Sequence, residues 1–312
     1  MSEHRTKRLK PNAAGIAEAA DILRAGGLVA FPTETVYGLG ADARNGAAVA
    51  RIFAAKGRPS FNPLIVHVAD IEMAERYGII EGAARDMVEE FWPDAFSIVV
   101  PLRENADLSP LVTAGLSSVA LRMPKEEVAL GLLRAFGGPV AAPSANPSGK
   151  ISATTADHVL RGLDGRIDAV LDGGPTRVGL ESTIIGFLGD RPTLLREGAF
   201  HPGLIDMWVE TSFEDVPTAP GQMASHYAPK ASIRLNATEA RASEFLLGFG
   251  PIKGDLSLSP DGDLGAAAAN LYAMFHEADA RGVKRLAVAP VPYEGIGRAI
   301  NDRLRRAAAP RP

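Results

Sequence analysis

Residues 56–67 read KGRPSFNPLIVH and place two cations beside a turn, ahead of an apolar segment. Lys56 and Arg58 flank a glycine that ends a predicted helix, and prolines stiffen the loop that follows. A planar guanidinium beside a point-charge ammonium suits phosphate groups. The alternative is that both cations only stabilise the negative end of the helix dipole. The rigid loop, which also contains Asn62, favours an anion site.

A second polar group lies in residues 139–154, which read PVAAPSANPSGKISAT. Small residues end a predicted strand there, and the loop that follows carries Ser144, Asn146 and Ser152 between prolines. Short hydrogen-bonding side chains in a loop stiffened by proline can surround an anion or a ribose. The alternative is an ordinary polar surface loop.

Two arginines follow predicted strands that begin or end with hydroxyl groups. Arg122 ends SSVALRMP, in which Ser118 is the second serine, and a carboxylate would suit its guanidinium. Ser182 lies in ESTII, and Arg196 lies in LLREG. The ends of strands are where α/β folds place their ligands.

Two further candidates belong to the first strands of the chain. Thr35 follows a strand directly and precedes the glycine-rich bend of FPTETVYGLGADA. The alternative there is a plain polar turn. His67 lies inside LIVHV, where a histidine is more often a buried core residue than a ligand.

The elements that must position these residues are short strands separated by Gly and Pro, with helices between them. Strands are predicted at 28–31, 64–68, 97–102, 117–122, 139–142, 168–171, 182–187 and 193–196. Helices are predicted at 12–25, 46–55, 70–77, 81–91, 125–136 and near 202–210. This pattern is typical of an α/β or α+β domain with a mixed sheet, which we assign to residues 1–210.

The rest of the chain divides into two predicted parts. Residues 211–231 contain three prolines and no apolar run, which predicts a linker or an ordered arm. Residues 232–312 alternate strands and helices, with strands at 232–235, 244–249 and 284–289 and helices at 264–280 and 296–308. We expect a small parallel sheet with crossover helices, Rossmann-like in outline.

Charge and composition exclude several classes of function. The net charge is −4, and residues 1–210 hold 21 Lys+Arg against 26 Asp+Glu, so strong direct nucleic-acid binding is not expected. There is no cysteine, which excludes disulfides and thiolate chemistry. The sequence shows no Walker A motif, no signal peptide and no membrane span, and we expect a cytoplasmic location.

The order of these motifs resembles the threonylcarbamoyl-AMP synthase (YrdC-like) family. The resemblance is carried by PTETVYGLGADA, KGRP with NPL, SSVALRMP, APSANPSG, DGG with ESTI, and LLREGA, all within residues 12–200. SHYAP at 225–229 and the α/β tail resemble the two-domain form of the family. One departure is WPDAFS, where a Pro-Gly-Pro-x-Thr turn is expected after the tryptophan and the hydroxyl survives as Ser97.

The resemblance implies a twisted mixed sheet around a concave cavity and a reaction of L-threonine, bicarbonate and ATP. The products would be threonylcarbamoyl-AMP and pyrophosphate. A downstream transferase machinery would use threonylcarbamoyl-AMP for the threonylcarbamoyl modification of tRNA. It implies threonine contacts from Thr35, His67, Arg122, Ala142 and Ser182. It implies ATP contacts from Lys56, Arg58, Asn62, Ser118, Ser144, Asn146, Ser152, Arg196 and Tyr227, with Lys56 and Arg58 as the catalytic pair.

No protein residue is predicted to bind a metal, and Mg²⁺ would arrive with ATP. His226 and Tyr227 would close the cavity from the arm, because a His-Tyr pair is unusual for a spacer. The alternative function is a module that binds double-stranded RNA or tRNA without nucleotidyl transfer, which the negative charge of residues 1–210 disfavours.

Overall fold

The computed structural model describes residues 5–200, the strand Glu210–Thr211 and residues 226–310. The helix predicted near 202–210 and most of the predicted arm therefore lie outside the described residues. Within them, the chain forms two sheets.

The larger sheet is mixed and runs in the order β1-β8-β2-β3-β7-β4-β6-β5-β9-β10-β11. Its strands are β1 Lys7–Leu9, β2 Val29–Phe31, β3 Gly38–Asp42, β4 Ile65–His67, β5 Phe96–Pro101, β6 Ser118–Arg122, β7 Val140–Ala141, β8 Ala169–Leu171, β9 Thr183–Gly186, β10 Thr193–Arg196 and β11 Glu210–Thr211. β4 and β6 are parallel neighbours, whereas β7 is antiparallel to both β3 and β4. Because β7 runs antiparallel to β4, the loop that follows β7 begins beside Ile65 at the start of β4, where the Ala142 amide donates to the Ile65 carbonyl at 2.9 Å.

Helices cover this sheet and supply much of its apolar core. They are α1 Ala13–Arg24, α2 Gly46–Lys56, α3 Ile71–Glu75, α4 Ala83–Phe91, α5 Pro110–Thr113, α6 Glu127–Phe136 and α7 Ala156–Leu163. Caps fix several helix starts, since Asn12 accepts from the Gly15 amide and Asn45 accepts from the Ala47 and Ala48 amides. α2 ends at Gly57, whose φ of 60° is the left-handed conformation that glycine adopts without steric cost.

The smaller sheet is parallel throughout and forms the C-terminal domain with two helices. Its order is β12-β15-β13-β14, with β12 Ser232–Arg234, β13 Phe245–Gly248, β14 Leu256–Ser257 and β15 Arg285–Val288. The helices are α8 Leu264–Ala280 and α9 Gly297–Ala308. The predicted fold class, a mixed sheet with helices plus a small parallel α/β domain, is confirmed.

The two sheets are joined by close packing at one glycine. Gly179, in the loop before β9, has φ of 78°, and a Cβ atom there would lie 2.5 Å from the Ala269 Cα atom of α8. Only glycine fits both conditions, so this loop contacts the α8 backbone directly. The predicted domain boundaries at 210 and 231 stay predictions, because most of the arm lies outside the described residues.

Most predicted elements agree with the structure to within a few residues, and the omissions are informative. β3 escaped prediction because GLGAD contains two glycines, which are rare in strands. β1, α5, α7 and β14 are short and were also not predicted. No helix in the described ranges is long and apolar enough to cross a membrane.

Candidate active site

One cavity is lined by residues that lie far apart in the chain, from Thr33 to Tyr227. About 550 Å³ of space in and around it is not filled by protein atoms, and part of this space is open to solvent. Its lining residues are Thr33, Thr35, Val36, Gly38, Arg58, Ile65, His67, Arg122, Ala142, Pro143, Ser144, Glu181, Arg196, His226 and Tyr227. Eight of the predicted site residues are therefore brought together, and they come from well-separated parts of the sequence.

Lys56 connects the end of α2 to the loop after β7. Its Nζ donates to the Ser144 carbonyl at 2.5 Å and also to the Asn146 carbonyl. The side chain is buried, and burial together with the charge of Arg58 lowers the pKa of Lys56 well below its ordinary value. The two hydrogen bonds hold the Ser-Ala-Asn segment in place. Burial raises the free energy of the charged lysine, and a bound anion would lower it.

Arg58 projects into the cavity from the loop that follows the Gly57 cap. Its Nη2 donates to the carbonyls of Asn62 at 3.4 Å and Pro63 at 3.1 Å. The Nε atom is buried and has no hydrogen-bond partner among the described residues. Burial and the charge of Arg196 lower the pKa of Arg58 to about 10. A buried donor of this kind indicates a ligand group.

Arg196 ends β10 and reaches the same cavity from the other side. Its Nε and Nη2 donate to the Ser182 carbonyl at 3.0 and 2.8 Å, and Nη2 also donates to Ser182 Oγ at 3.0 Å. Ser182 Oγ is 2.8 Å from Ser97 Oγ, so the hydroxyl in the divergent WPDAFS segment is part of this network. Ser182 itself is not among the lining residues and contacts the cavity through Arg196.

The ends of β4 and β6 form the inner part of the cavity. His67 is the register partner of Arg122, and both side chains are buried. Arg122 donates to Glu34 in a buried ion pair, and its Nε has no partner among the described residues. His67 Nδ1 is likewise unpartnered, and burial followed by the Arg122 charge lowers the pKa of His67 to about 3. The imidazole is therefore neutral at physiological pH.

The hydroxyl protons of Thr33 and Thr35 determine which of these two residues can accept a hydrogen bond from a ligand. Thr33 donates its hydroxyl proton to the Val36 carbonyl at 2.7 Å, and the Thr33 and Thr35 hydroxyl oxygens are 2.7 Å apart. Because Thr33 has only one hydroxyl proton, Thr35 must be the donor in that pair. Thr35 Oγ1 then offers the cavity acceptor lone pairs, which suit an ammonium or hydroxyl group.

Besides Ser182, five of the predicted site residues do not line the cavity. Lys56 and Asn146 lie behind the Ser144 loop, and Asn146 Oδ1 is buried without a partner among the described residues. Asn62 Oδ1 is also buried and unpartnered in the described structure. Ser118 begins β6, whose register with β5 places it opposite Pro101. Ser152 is fully buried and donates to Glu181 at 2.6 Å.

The described end of the predicted arm lies against the cavity. His226 and Tyr227 line it and are 7% and 2% exposed. The Ala228 amide donates to the Gly149 carbonyl at 3.0 Å, which ties the arm to the loop after β7. His226 Nδ1 has no partner within the described ranges, and burial lowers the pKa of His226 to about 3.

Comparison with known proteins agrees with this geometry. A family model named Sua5/YciO/YrdC, described as "Telomere recombination", matches residues 21–198. A model for the threonylcarbamoyl-AMP synthase C-terminal domain matches residues 195–309. The threonylcarbamoyl-AMP synthase of Bacillus subtilis is 41% identical to the chain, over 98% of this chain and 96% of the relative.

The chain belongs to the threonylcarbamoyl-AMP synthase family. The threonylcarbamoyl-AMP synthase of Pyrococcus abyssi is 37% identical over 93% of each chain. The crystal structure of P. abyssi Sua5 complexed with L-threonine superposes with a TM-score of 0.88 and 35% identity, covering 97% of both chains. The predicted family, its two-domain form and its enzyme class are confirmed.

Sequence reasoning missed the carboxylates and the residues that hold them. Glu34 lies in the quoted PTETV segment and Glu181 in ESTI, but neither was assigned a role. Tyr272 and Arg303 of the C-terminal domain hydrogen-bond to Glu181, and no local signal marks them. A buried arginine in a helix rich in polar residues cannot be recognised from the sequence, because its partner lies in a distant part of the chain.

The carboxylates at this family site leave little room for a protein-bound metal. Within the described ranges no three His, Asp or Glu side chains cluster as a metal site. Glu34 and Glu181 line or border the cavity, and both are engaged by arginines. With both carboxylates paired to arginines, a magnesium ion that arrived with ATP would be held by phosphate oxygens and water.

Proposed function

We propose that the chain forms threonylcarbamoyl-AMP and pyrophosphate from L-threonine, bicarbonate and ATP. The threonine amine adds to CO₂ derived from bicarbonate and gives an N-carboxylate. An oxygen of that carboxylate attacks the α-phosphorus of ATP, and the bond from that phosphorus to the bridging oxygen of pyrophosphate breaks. The nucleophile comes from the substrates, so the protein must supply orientation and charge neutralisation rather than a nucleophilic side chain.

The inner part of the cavity is proposed to hold threonine. The unpartnered Arg122 Nε is a donor for the threonine carboxylate, while Glu34 holds the guanidinium in place. Thr35 offers an acceptor for the ammonium or hydroxyl group, and neutral His67 offers its unpartnered Nδ1. Ala142 lines the same space with a small apolar side chain, which suits the threonine methyl group.

The outer part is proposed to hold ATP, with its phosphates between Arg58 and Arg196. The single observation that carries this proposal is the convergence of Lys56, Arg58 and Arg196, three buried cations whose pKa values are all lowered by burial. Buried cations in this state gain most from an incoming polyanion. Asn62, Ser118, Ser144, Asn146 and Ser152 are proposed to contact the nucleotide.

Magnesium is proposed to accompany ATP, where it would neutralise phosphate charge during displacement. Tyr227 and His226 would exclude water from the adenylate, which hydrolysis would otherwise destroy. A tRNA threonylcarbamoyl transferase machinery is proposed to consume the product, and the cytoplasm is the compartment proposed for both steps.

The alternative of an RNA-binding module gains little from the cavity. Lys56, Arg58 and Arg196 are between 3% and 9% exposed, so an RNA backbone cannot reach them. Residues 1–210 also carry a net negative charge, which opposes binding by counterion release.

The test is pyrophosphate release by the purified full-length chain, with each substrate omitted in turn. Release is expected only when L-threonine, bicarbonate and Mg-ATP are all present. Pyrophosphate release that is indifferent to bicarbonate would contradict the proposal, and so would release that is indifferent to threonine. RNA binding without any release would favour the alternative.

A further inference from the structure

Glu181 is a buried carboxylate that accepts hydrogen bonds from three side chains. It lines the cavity and accepts from Ser152 Oγ at 2.6 Å. The Tyr272 hydroxyl of α8 lies 3.1 and 3.0 Å from its two oxygens, and Arg303 Nε of α9 donates to Oε2 at 2.8 Å. Two of these three donors belong to the C-terminal domain.

Arg303 forms an ion pair with Glu181 and is completely buried. Against the effect of burial, the charge of Arg303, followed by that of Arg196, lowers the pKa of the Glu181 carboxyl. Its Nη1 donates to Asp302 at 2.6 Å and its Nη2 to the Glu197 carbonyl at 2.9 Å. The guanidinium carbon lies 5.1 Å from the centre of the Tyr227 ring, a cation–π distance. One arginine of the C-terminal domain therefore contacts both a cavity carboxylate and the residue proposed to close the cavity.

The charges around the cavity separate into paired and anion-directed groups. Glu34 pairs with Arg122, and Glu181 pairs with Arg303. Both carboxylates therefore have an arginine partner. Among the described residues no cavity carboxylate pairs with Lys56 or Arg58, whose hydrogen bonds go to backbone carbonyls. Were Glu181 uncompensated, its negative charge would lie in the same cavity as the phosphates of ATP and would repel them.

We propose that Arg303 is a positioning residue for ATP binding, which neutralises and holds Glu181 so that this carboxylate does not oppose the nucleotide phosphates. Tyr272 assists by donating to the same carboxylate. The inference deepens the proposed function, on which it rests. It also gives the C-terminal domain a role in the active site, because α9 supplies the ion-pair partner Arg303.

A direct role of Glu181 on the ligand is the main competing explanation. A carboxylate that binds magnesium needs an oxygen directed at the metal. Here Oε1 accepts from Ser152 and Oε2 accepts from Arg303, while the Tyr272 hydroxyl, which has one proton to donate, lies 3.1 and 3.0 Å from the two oxygens. Both oxygens already serve protein donors, so the geometry favours compensation over metal binding.

The test compares ATP affinity by titration calorimetry in full-length variants, without threonine so that no turnover occurs. Arg303→Met removes the compensating charge and is expected to weaken ATP binding by about tenfold or more. Threonine affinity is expected to change by less than about threefold, because Arg122 keeps its own partner. Arg305→Met is the matched control, since Arg305 is exposed on the same helix and removes the same charge. Its ATP affinity should stay at the wild-type value.

Suppression distinguishes charge compensation from a purely structural role. Adding Glu181→Gln to Arg303→Met removes the repelling carboxylate, so ATP affinity should return to within about threefold of wild type. If Arg303 only stabilised the fold, the loss of a second buried partner in the double variant would weaken ATP binding further. Arg303→Lys, which keeps the charge, should bind ATP much more tightly than Arg303→Met.

Glu181→Gln alone keeps the proposal testable if Arg303→Met fails to fold. It is expected to bind ATP at least as tightly as wild type, because it removes only negative charge. Weakening by Glu181→Gln equal to that by Arg303→Met would overturn the proposal in favour of a direct role for the carboxylate. If wild type binds ATP but releases no pyrophosphate, the proposed reaction fails while the Arg303 comparison can still be made.

Discussion

Two buried arginine–glutamate pairs lie in the wall of the cavity, and they differ in what the arginine still offers a ligand. In the Arg122–Glu34 pair, the arginine Nε has no partner among the described residues. In the Arg303–Glu181 pair, Nε is used on the glutamate, and the other two nitrogens are used on Asp302 and a backbone carbonyl. Arg122 has a nitrogen without a partner among the described residues, whereas each nitrogen of Arg303 has one.

The difference teaches how to interpret a buried ion pair. Burying charge is costly, so a guanidinium with an unsatisfied nitrogen in a cavity indicates a group that a ligand completes. A guanidinium with a protein partner at every nitrogen fixes its neighbours instead. By this criterion we propose that the Arg122–Glu34 pair binds substrate and that the Arg303–Glu181 pair supports the site from the C-terminal domain.

The largest expected effect comes from exchanging the amino-acid substrate beside Arg122. Valine keeps the carboxylate but lacks the hydroxyl, so Thr35 and His67 would stay buried without a partner. The value of kcat/KM for valine should fall below that for threonine by up to about 10⁴. Serine, which lacks only the methyl group, should lose about 1–3 kcal/mol. The measurement is pyrophosphate release, and equal rates with valine and serine would contradict a hydroxyl-binding site.

The cations that belong to neither pair should give the next largest effect. Arg58→Ala or Lys56→Ala should reduce the rate of pyrophosphate release by an amount corresponding to about 2–4 kcal/mol, since each removes charge stabilisation from the phosphates. Arg51→Ala on the exposed face of α2 is the control, because its ion pair with Asp168 is exposed and contributes little. Rates near wild type in both cavity variants would remove the phosphate assignment.

Arg122→Lys sharpens the comparison between the pairs. Lysine keeps the charge beside Glu34 but loses the planar fork, so threonine binding should weaken by about 1.5–3 kcal/mol. ATP affinity should hardly change, which is the reverse of the pattern expected for Arg303→Met. Calorimetric titration with each substrate separately provides the measurement. If Arg122→Lys weakened both substrates equally, the two pairs could not be assigned separate roles.

The smallest effect concerns pH and a second contact of the C-terminal domain. His158 of α7 stacks on His276 of α8, with ring centroids 3.8 Å apart. Burial and the charge of His276 lower the pKa of His158 to about 3. Burial lowers the pKa of His276 to about 4. The folded state therefore binds fewer protons than the unfolded state, in which histidine titrates near its ordinary value of about 6.5.

Because the folded pKa values are depressed, the free energy of unfolding should fall as pH drops from about 6.5 toward 4. Each histidine should contribute less than about 1.4 kcal/mol per pH unit, since the pair is partly solvent-exposed. Urea unfolding of wild type and of the His158→Gln/His276→Gln variant at several pH values measures the slope. An equally steep slope in the double variant would show that other groups are responsible.

Sequence predicted most of the fold where hydrophobic patterns were regular. The elements at 12–25, 46–55 and 264–280 agree closely with α1, α2 and α8. β3 was not predicted, because its glycines mask a strand that tertiary packing requires. A Cβ atom at Gly40 would lie 2.9 Å from side-chain atoms of both Phe31 and Val140, so the sheet demands glycine there.

The candidate site divides in the same way. Lys56, Arg58 and Arg122 were found because each stands at the end of an element beside turn residues. Glu181 and Arg303 are separated by 122 positions in the chain, and nothing near either one indicates the other.

The sequence by itself determined the periodicities, the turns and the local polar motifs, because these depend on neighbours a few residues apart. It also determined the family, through the order of those motifs. Only the tertiary structure decided which charges compensate one another inside the cavity. Compensation depends on distances of about 3 Å between side chains on different elements, and the energy of a buried charge follows those distances rather than the position of a residue in the chain.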